Sequence, residues 1–183
     1  MESCKNTIGA LESLRDSIRK RVDTIRGSGF WVEATRSIAI RVYEIMDNIS
    51  SLIANTICLA ENLGGCIKVG NETTCKPGCG ALRVVATPNS CSIFRLSNMR
   101  EIKYDAKTGK VIIATPTTSI SIDRSTINGK LRTFSVTINY LDANDVKSKY
   151  QDALTILREA EHVVALMNAT VENCIREKRL MCS

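Results

Sequence analysis

Apolar residues at Cys4, Ile8, Leu11, Leu14, Ile18, Val22 and Ile25 recur at intervals of three and four. That spacing marks one face of an amphipathic helix over 4–26, which Gly27-Ser28-Gly29 breaks. The pattern resumes over 31–63 with Ile38, Val42, Ile45, Met46, Ile49, Leu52, Ile53, Ile57, Leu59 and Leu63. Gly64-Gly65 supplies left-handed residues where that helix should end. A short glycine link between two such helices predicts an antiparallel hairpin.

The last quarter of the chain predicts a third helix. Asp142 stands as N-cap with Asp145 at N3, and Leu141 and Val146 have the spacing of a hydrophobic staple. A heptad follows, with Tyr150, Leu157, Val164 and Val171 at one seam position. The other seam position holds Val146, Ala153, Ala160, Met167, Cys174 and Met181. About five heptads at 3.5-residue spacing predict a coiled-coil helix reaching nearly 60 Å.

Between the helices the period changes to two. LRTFSVTINY alternates Phe134, Val136, Ile138 and Tyr140 against polar neighbours, and TSISID does so through Ile120 and Ile122. MREIKYDAKTGKVIIAT predicts a hairpin turning at Asp105 to Gly109. With ALRVVAT and CSIFRLS this makes five or six antiparallel strands. The predicted class is α+β: an antiparallel helical coiled-coil stalk with a small antiparallel sheet inserted between helices 2 and 3. Its segments are a helical hairpin (1–65), a basic Cys-containing β module (66–141) and a long C-terminal helix packing on 1–65 (142–183).

Composition adds the setting. In 183 residues, 44% are hydrophobic and 4% aromatic, so the core must be aliphatic. No apolar run approaches the roughly 18 residues of a membrane span. Charges occupy the first twenty residues where a secretory h-region would lie, so no standard signal peptide is predicted. One Gln, one His and abundant Ile suit a hyperthermophile, against which stand twelve Asn and five Met. Hyperthermophilic archaea tolerate intracellular disulfides, so the expected setting is a disulfide-permissive cytoplasm of that kind, or a virion or extracellular surface.

The net charge of +6 is unevenly placed. Residues 66–141 hold 11 basic and 4 acidic groups, whereas 1–65 are neutral and 142–183 carry −1. Arg95, Arg100, Lys103, Lys107 and Lys110, with Phe94 and Tyr104 nearby, could contact phosphates and stack on bases. The bland alternative is a solvated hairpin whose charges discourage edge pairing.

The eight cysteines are the chief chemical feature. Cys66, Cys75, Cys79 and Cys91 stand nine, four and twelve positions apart, and CKPGCG resembles a zinc knuckle with one residue too many. A zinc site, disulfides that staple the sheet, and a reactive dithiol all remain open on sequence, with disulfides preferred. Cys4 and Cys174 occupy seam positions, with Cys58 and Cys182 beside seams. A hairpin about Gly27–Gly29 makes a Cys4–Cys58 bridge geometrically reasonable. Cys174 and Cys182 cannot bond each other and need partners elsewhere.

Other candidates are weaker. His162 falls on an outer heptad position, and a lone histidine excludes the usual Ser-His triad. Glu159 and Glu161 look like solvated surface charges. No phosphate-binding glycine loop is present. Sequons occur at Asn48, Asn71 and Asn168, of which Asn71 lies in a turn and suits glycosylation after export. No motif assigns a family. The sequence predicts a non-enzymatic, disulfide-stabilised coiled-coil subunit of an oligomer, without cofactor or small-molecule substrate. The alternative is a nucleic-acid-binding adaptor using the basic module, with a structural zinc.

Overall fold

The structure is a computed structural model that describes residues 2–28, 33–116, 118–127, 130–140 and 153–182. Three helices, α1 (Glu2–Ser28), α2 (Glu33–Leu63) and α3 (Ala153–Lys178), accompany eight strands that lie between α2 and α3 in the chain. The strands are β1 (Cys66–Val69), β2 (Glu72–Cys75), β3 (Leu82–Thr87), β4 (Ser90–Arg95), β5 (Arg100–Asp105), β6 (Val111–Ala114), β7 (Thr118–Ile127) and β8 (Lys130–Tyr140). They form one antiparallel sheet in sequence order. The class is α+β, as expected, and the sheet is larger than the five or six strands read from the sequence.

The second helix of the N-terminal hairpin ends where its glycines predict, whereas α1 continues through Gly27 to Ser28, past the expected limit at residue 26. Gly64 and Gly65 adopt left-handed φ of 69° and 72°, and the Gly64 N–H donates to the Ala60 carbonyl at 3.0 Å. Two ion pairs fix α1 antiparallel to α2: Lys5 with Glu61 at 2.6 Å and Arg15 with Asp47 at 2.7 Å. The third helix departs from the all-antiparallel stalk. Arg41 on α2 pairs with Glu161 on α3, and the Asn168 amide donates to the Asn48 carbonyl at 3.3 Å. Both contacts join residues 120 apart, so α3 runs parallel to α2. The long meander carries the chain back before α3 begins.

The seam residues Leu157, Ala160, Val164, Met167, Val171 and Cys174 are all buried. Val163 is buried as well, so the apolar stripe is wider than two heptad positions. α2 lies between α1 and α3, while α3 also meets β6 and β8. Met181, assigned to the seam, is 97% exposed because the helix stops at Lys178. Arg179 is left-handed (φ 53°), and the Leu180 N–H donates to the Ile175 carbonyl at 3.0 Å. That is the six-to-one closure of a Schellman turn. The expected N-cap at Asp142, with Asp145, Val146 and Tyr150, lies outside the described residues.

The register explains the core. Across β2 to β8, Cys75, Val84, Ile93, Ile102, Ile113, Ile120 and Ile138 stand side by side in one row. The next row is Ala86, Cys91, Tyr104, Val111, Ile122 and Val136. Because strand side chains alternate, both rows face the same way. They join the buried sides of all three helices in one hydrophobic core. α1 meets β3, β4 and β8. Most of these core chains are Val, Ile and Leu, each worth about 1.5–3 kcal/mol when fully buried. No helix among the described residues is long and apolar enough to cross a membrane.

Candidate functional site: the disulfide frame and the open sheet face

All eight cysteines are paired, as Cys4–Cys91, Cys58–Cys182, Cys66–Cys75 and Cys79–Cys174. Cys4–Cys91 ties the start of α1 to the inner face of β4. Cys79–Cys174 ties the turn before β3 to α3. Cys58–Cys182 returns the C-terminal tail to α2, and Cys66–Cys75 joins directly opposed residues of the β1–β2 hairpin.

The Cys4–Cys58 bridge anticipated from the sequence does not form. The two helices are antiparallel as that reading required, but Cys4 is fully buried against the sheet and meets Cys91. Cys58 is half-exposed on α2, and its sulfur faces the tail turned back by Arg179. The zinc alternative lacks ligands, because Cys66, Cys75, Cys79 and Cys91 are divided among three disulfides. No cluster of three or more metal-ligating side chains occurs among the described residues. Cys174 and Cys182 each find a partner far away in sequence, as their spacing demanded.

Two glycines make this frame possible. Gly80 follows Cys79 with φ +61°, and a Cβ there would lie 2.8 Å from the Thr170 Cγ2 on α3. Thr170 and Cys174 are one helical turn apart, so a bare backbone at Gly80 lets the turn approach α3 closely enough for the bridge. Gly65, at φ +72°, would place a Cβ 2.5 Å from the Lys76 carbonyl oxygen. The Lys76 N–H donates to the Gly65 carbonyl at 3.0 Å, extending the hairpin ladder just past the Cys66–Cys75 bridge. The glycine after Cys79, which looked like part of a zinc knuckle, serves instead to seat a turn on a helix.

Three disulfides share a smaller circuit. Eight residue steps separate Cys58 from Cys66, four separate Cys75 from Cys79, and eight separate Cys174 from Cys182. Linked through Cys66–Cys75, Cys79–Cys174 and Cys58–Cys182, these segments close a ring of about 20 residues. The ring gathers the C-terminal ends of α2 and α3, the β1–β2 hairpin and the CKPGCG turn. Cys4–Cys91 stands apart from it.

The sheet face away from the helices carries the candidate binding residues, but does not concentrate them. One of its rows runs Arg83, Phe94, Glu101, Ala114, Ser119 and Asn139. The next runs Ile67, Thr74, Val85, Ser92, Lys103, Ile112, Ser121 and Thr137. Lys103 therefore faces outward beside Glu101. Arg95 and Arg100 oppose each other across β4 and β5 at the other parity, in line with Leu82. Lys107 and Lys110 lie in the β5–β6 turn, where Asp105 Oδ1 accepts from the Lys107 and Thr108 N–H groups at 2.9 and 3.1 Å. From Arg100 to Asp105 the strand rises about 17 Å. The five cations thus occupy two ends and one face.

The proposed base-stacking aromatics are also committed. Tyr104 is fully buried in the inner row. Phe94 carries the Arg83 guanidinium 4.5 Å from its ring centroid, a cation–π contact. Burial raises the Glu101 carboxyl above its ordinary value, and neighbouring Lys103 and Arg83 partly oppose that shift. Glu161 is more than a solvated charge, since both its oxygens accept from Arg41 Nη1 at 3.0 and 2.9 Å. His162 is exposed. Asn71 sits at the exposed β1–β2 turn, and Asn48 and Asn168 face each other across α2 and α3.

No protein-family model, curated protein or solved structure matches the chain.

Proposed function

We propose that this chain is a non-catalytic structural subunit of a homo-oligomer, with its coiled-coil helices and sheet locked together by disulfides. The observation that carries the reading is the use of every cysteine to cross-link: Cys4–Cys91 and Cys79–Cys174 join helices to the sheet side, and Cys58–Cys182 joins α2 to the tail. Such links lower the entropy of the unfolded chain and keep a small aliphatic core folded under harsh conditions. A disulfide-rich setting follows, either a surface or a permissive cytoplasm.

The nucleic-acid alternative draws less support. Its cations are divided between two strand ends and one face, Tyr104 is buried, and Phe94 is covered by Arg83. Sedimentation velocity at about 50 and about 500 mM salt separates the readings, since phosphate contacts weaken steeply over that range. A multimer at both salts supports the structural reading. A monomer that binds single-stranded nucleic acid at low salt and releases it at high salt replaces it. A monomer that binds none overturns both.

A further inference from the structure

We propose that Asn71 is an N-glycan acceptor in the folded, oxidised protein, and that Asn48 and Asn168 are not. The three share the Asn-x-Ser/Thr signature, which a transferase can use only where the segment is accessible and can bend into its active site. Asn48 and Asn71 are both exposed, but only Asn71 stands in a turn, two residues before Thr73 joins the ladder to β3.

Asn71 and Gly70 form the two-residue loop between β1 and β2, closed by the Val69–Glu72 pair, with Gly70 at φ +60°. The hairpin projects from the sheet. β2 pairs with β3 only from Thr73 onward, and Lys68, Val69, Gly70, Asn71 and Glu72 are all exposed. Both parities of β1 are open to solvent, so neither face of the tip is blocked. The Cys66–Cys75 bridge holds the base of this hairpin.

The other two sequons lie inside long helices. Asn48 is mid-way along α2 and Asn168 mid-way along α3, and the Asn168 side-chain nitrogen already donates to the Asn48 carbonyl. Presenting either one requires opening a helix that packs on the core.

The donor is a polyprenyl-phosphate- or diphosphate-linked oligosaccharide. The bond from its anomeric carbon to the phosphate oxygen breaks and one from that carbon to Asn71 Nδ2 forms. Nδ2 loses a proton to the transferase base, and the lipid phosphate leaves with the bonding electrons. The product has a structural consequence. β1 is an edge strand whose outward residues Ile67 and Val69 are 69% and 74% exposed. Such an edge invites pairing with another chain. A glycan at the adjacent turn would shield it, as a charged or covered edge does in other sheets.

The test treats the intact, oxidised protein with a single-subunit oligosaccharyltransferase and its lipid-linked oligosaccharide, followed by glycopeptide mass spectrometry. A parallel sample is reduced, alkylated and unfolded. Occupancy at Asn71 of the folded chain should exceed that at Asn48 and Asn168 by at least about tenfold, because those two need local helix opening. The unfolded sample should narrow that gap. Thr73→Ser should keep the modification and Thr73→Val should abolish it. An unmodified Asn71 on the folded chain, whatever the unfolded control does, overturns the proposal. So does equal occupancy at the helical sites.

Discussion

The disulfide ring makes a quantitative prediction about how its members depend on each other. With the other bridges intact, Cys79–Cys174 closes a circuit of about 20 residues, which the chain-entropy relation converts to about 3.3 kcal/mol. Once Cys58–Cys182 is removed, that circuit opens and the same bridge closes its full sequence separation of 95 residues. The relation then gives about 4.7 kcal/mol. Removing both bridges should therefore cost more than the sum of the two single removals, by about 1.4 kcal/mol. Local costs of exchanging cysteine for alanine occur in both legs of the cycle and cancel. The variants are Cys58→Ala/Cys182→Ala, Cys79→Ala/Cys174→Ala and all four changes together. Each is unfolded in urea without reductant, and stability is taken from midpoint and slope. Cys4–Cys91 provides the control, because deleting it leaves the ring intact and its coupling to Cys79–Cys174 should be near zero. Additivity of the ring pair within about 0.5 kcal/mol, or a deficit, would refute the circuit.

Exposure orders the bridges under native reduction. Cys66 is exposed and Cys58 and Cys182 are half-buried, so Cys66–Cys75 and Cys58–Cys182 should be cut first by dithiothreitol, as mapped by alkylation and mass spectrometry. Early loss of Cys4–Cys91, whose residues are at most 1% exposed, would contradict this. Gly65→Ala and Gly80→Ala should each destabilise by about 1–3 kcal/mol through left-handed strain and close contact. Gly9→Ala, on an open helix face, should instead stabilise by about 0.5–1 kcal/mol, and thermal melts distinguish the signs. The raised Glu101 carboxyl means that the folded state holds this proton more tightly than the unfolded one. Its contribution to stability is complete below the ordinary carboxylate range and is lost as pH rises through the folded value. Glu101→Gln should therefore melt higher than the parent at neutral pH, and the difference should shrink in acid. A pH-independent difference would remove burial as the cause.

Periodicity made most of the elements readable. Helix faces at three-and-four spacing and strands such as TSISID and LRTFSVTINY stand where the apolar pattern puts them, and among the described side chains Leu11, Val42, Ile120, Ile122, Val136 and Ile138 pack into the same core. β1 and β2 escaped that reading, since four-residue strands are too short to show alternation, and β1 is exposed throughout. The signal that could have found them is Gly70-Asn71, a two-residue hairpin dipeptide. Disulfide pairing was not legible, because eight cysteines admit 105 connectivities and the choice depends on which way each helix face turns. Cys4 shows this: its antiparallel neighbour on α2 was inferred correctly in outline, yet its side chain faces the sheet. The charge excess of 66–141 was also legible, while its distribution was not. Strand parity puts Arg95 and Lys103 on opposite faces, and only the register reveals that.

Peptide mapping of unreduced protein, alkylated under denaturing conditions, tests the central claim most directly. The predicted result is no alkylated cysteine and four linked peptide pairs: 4 with 91, 58 with 182, 66 with 75, and 79 with 174. Free thiols at Cys66, Cys75, Cys79 and Cys91, or any other pairing among the eight, would contradict it.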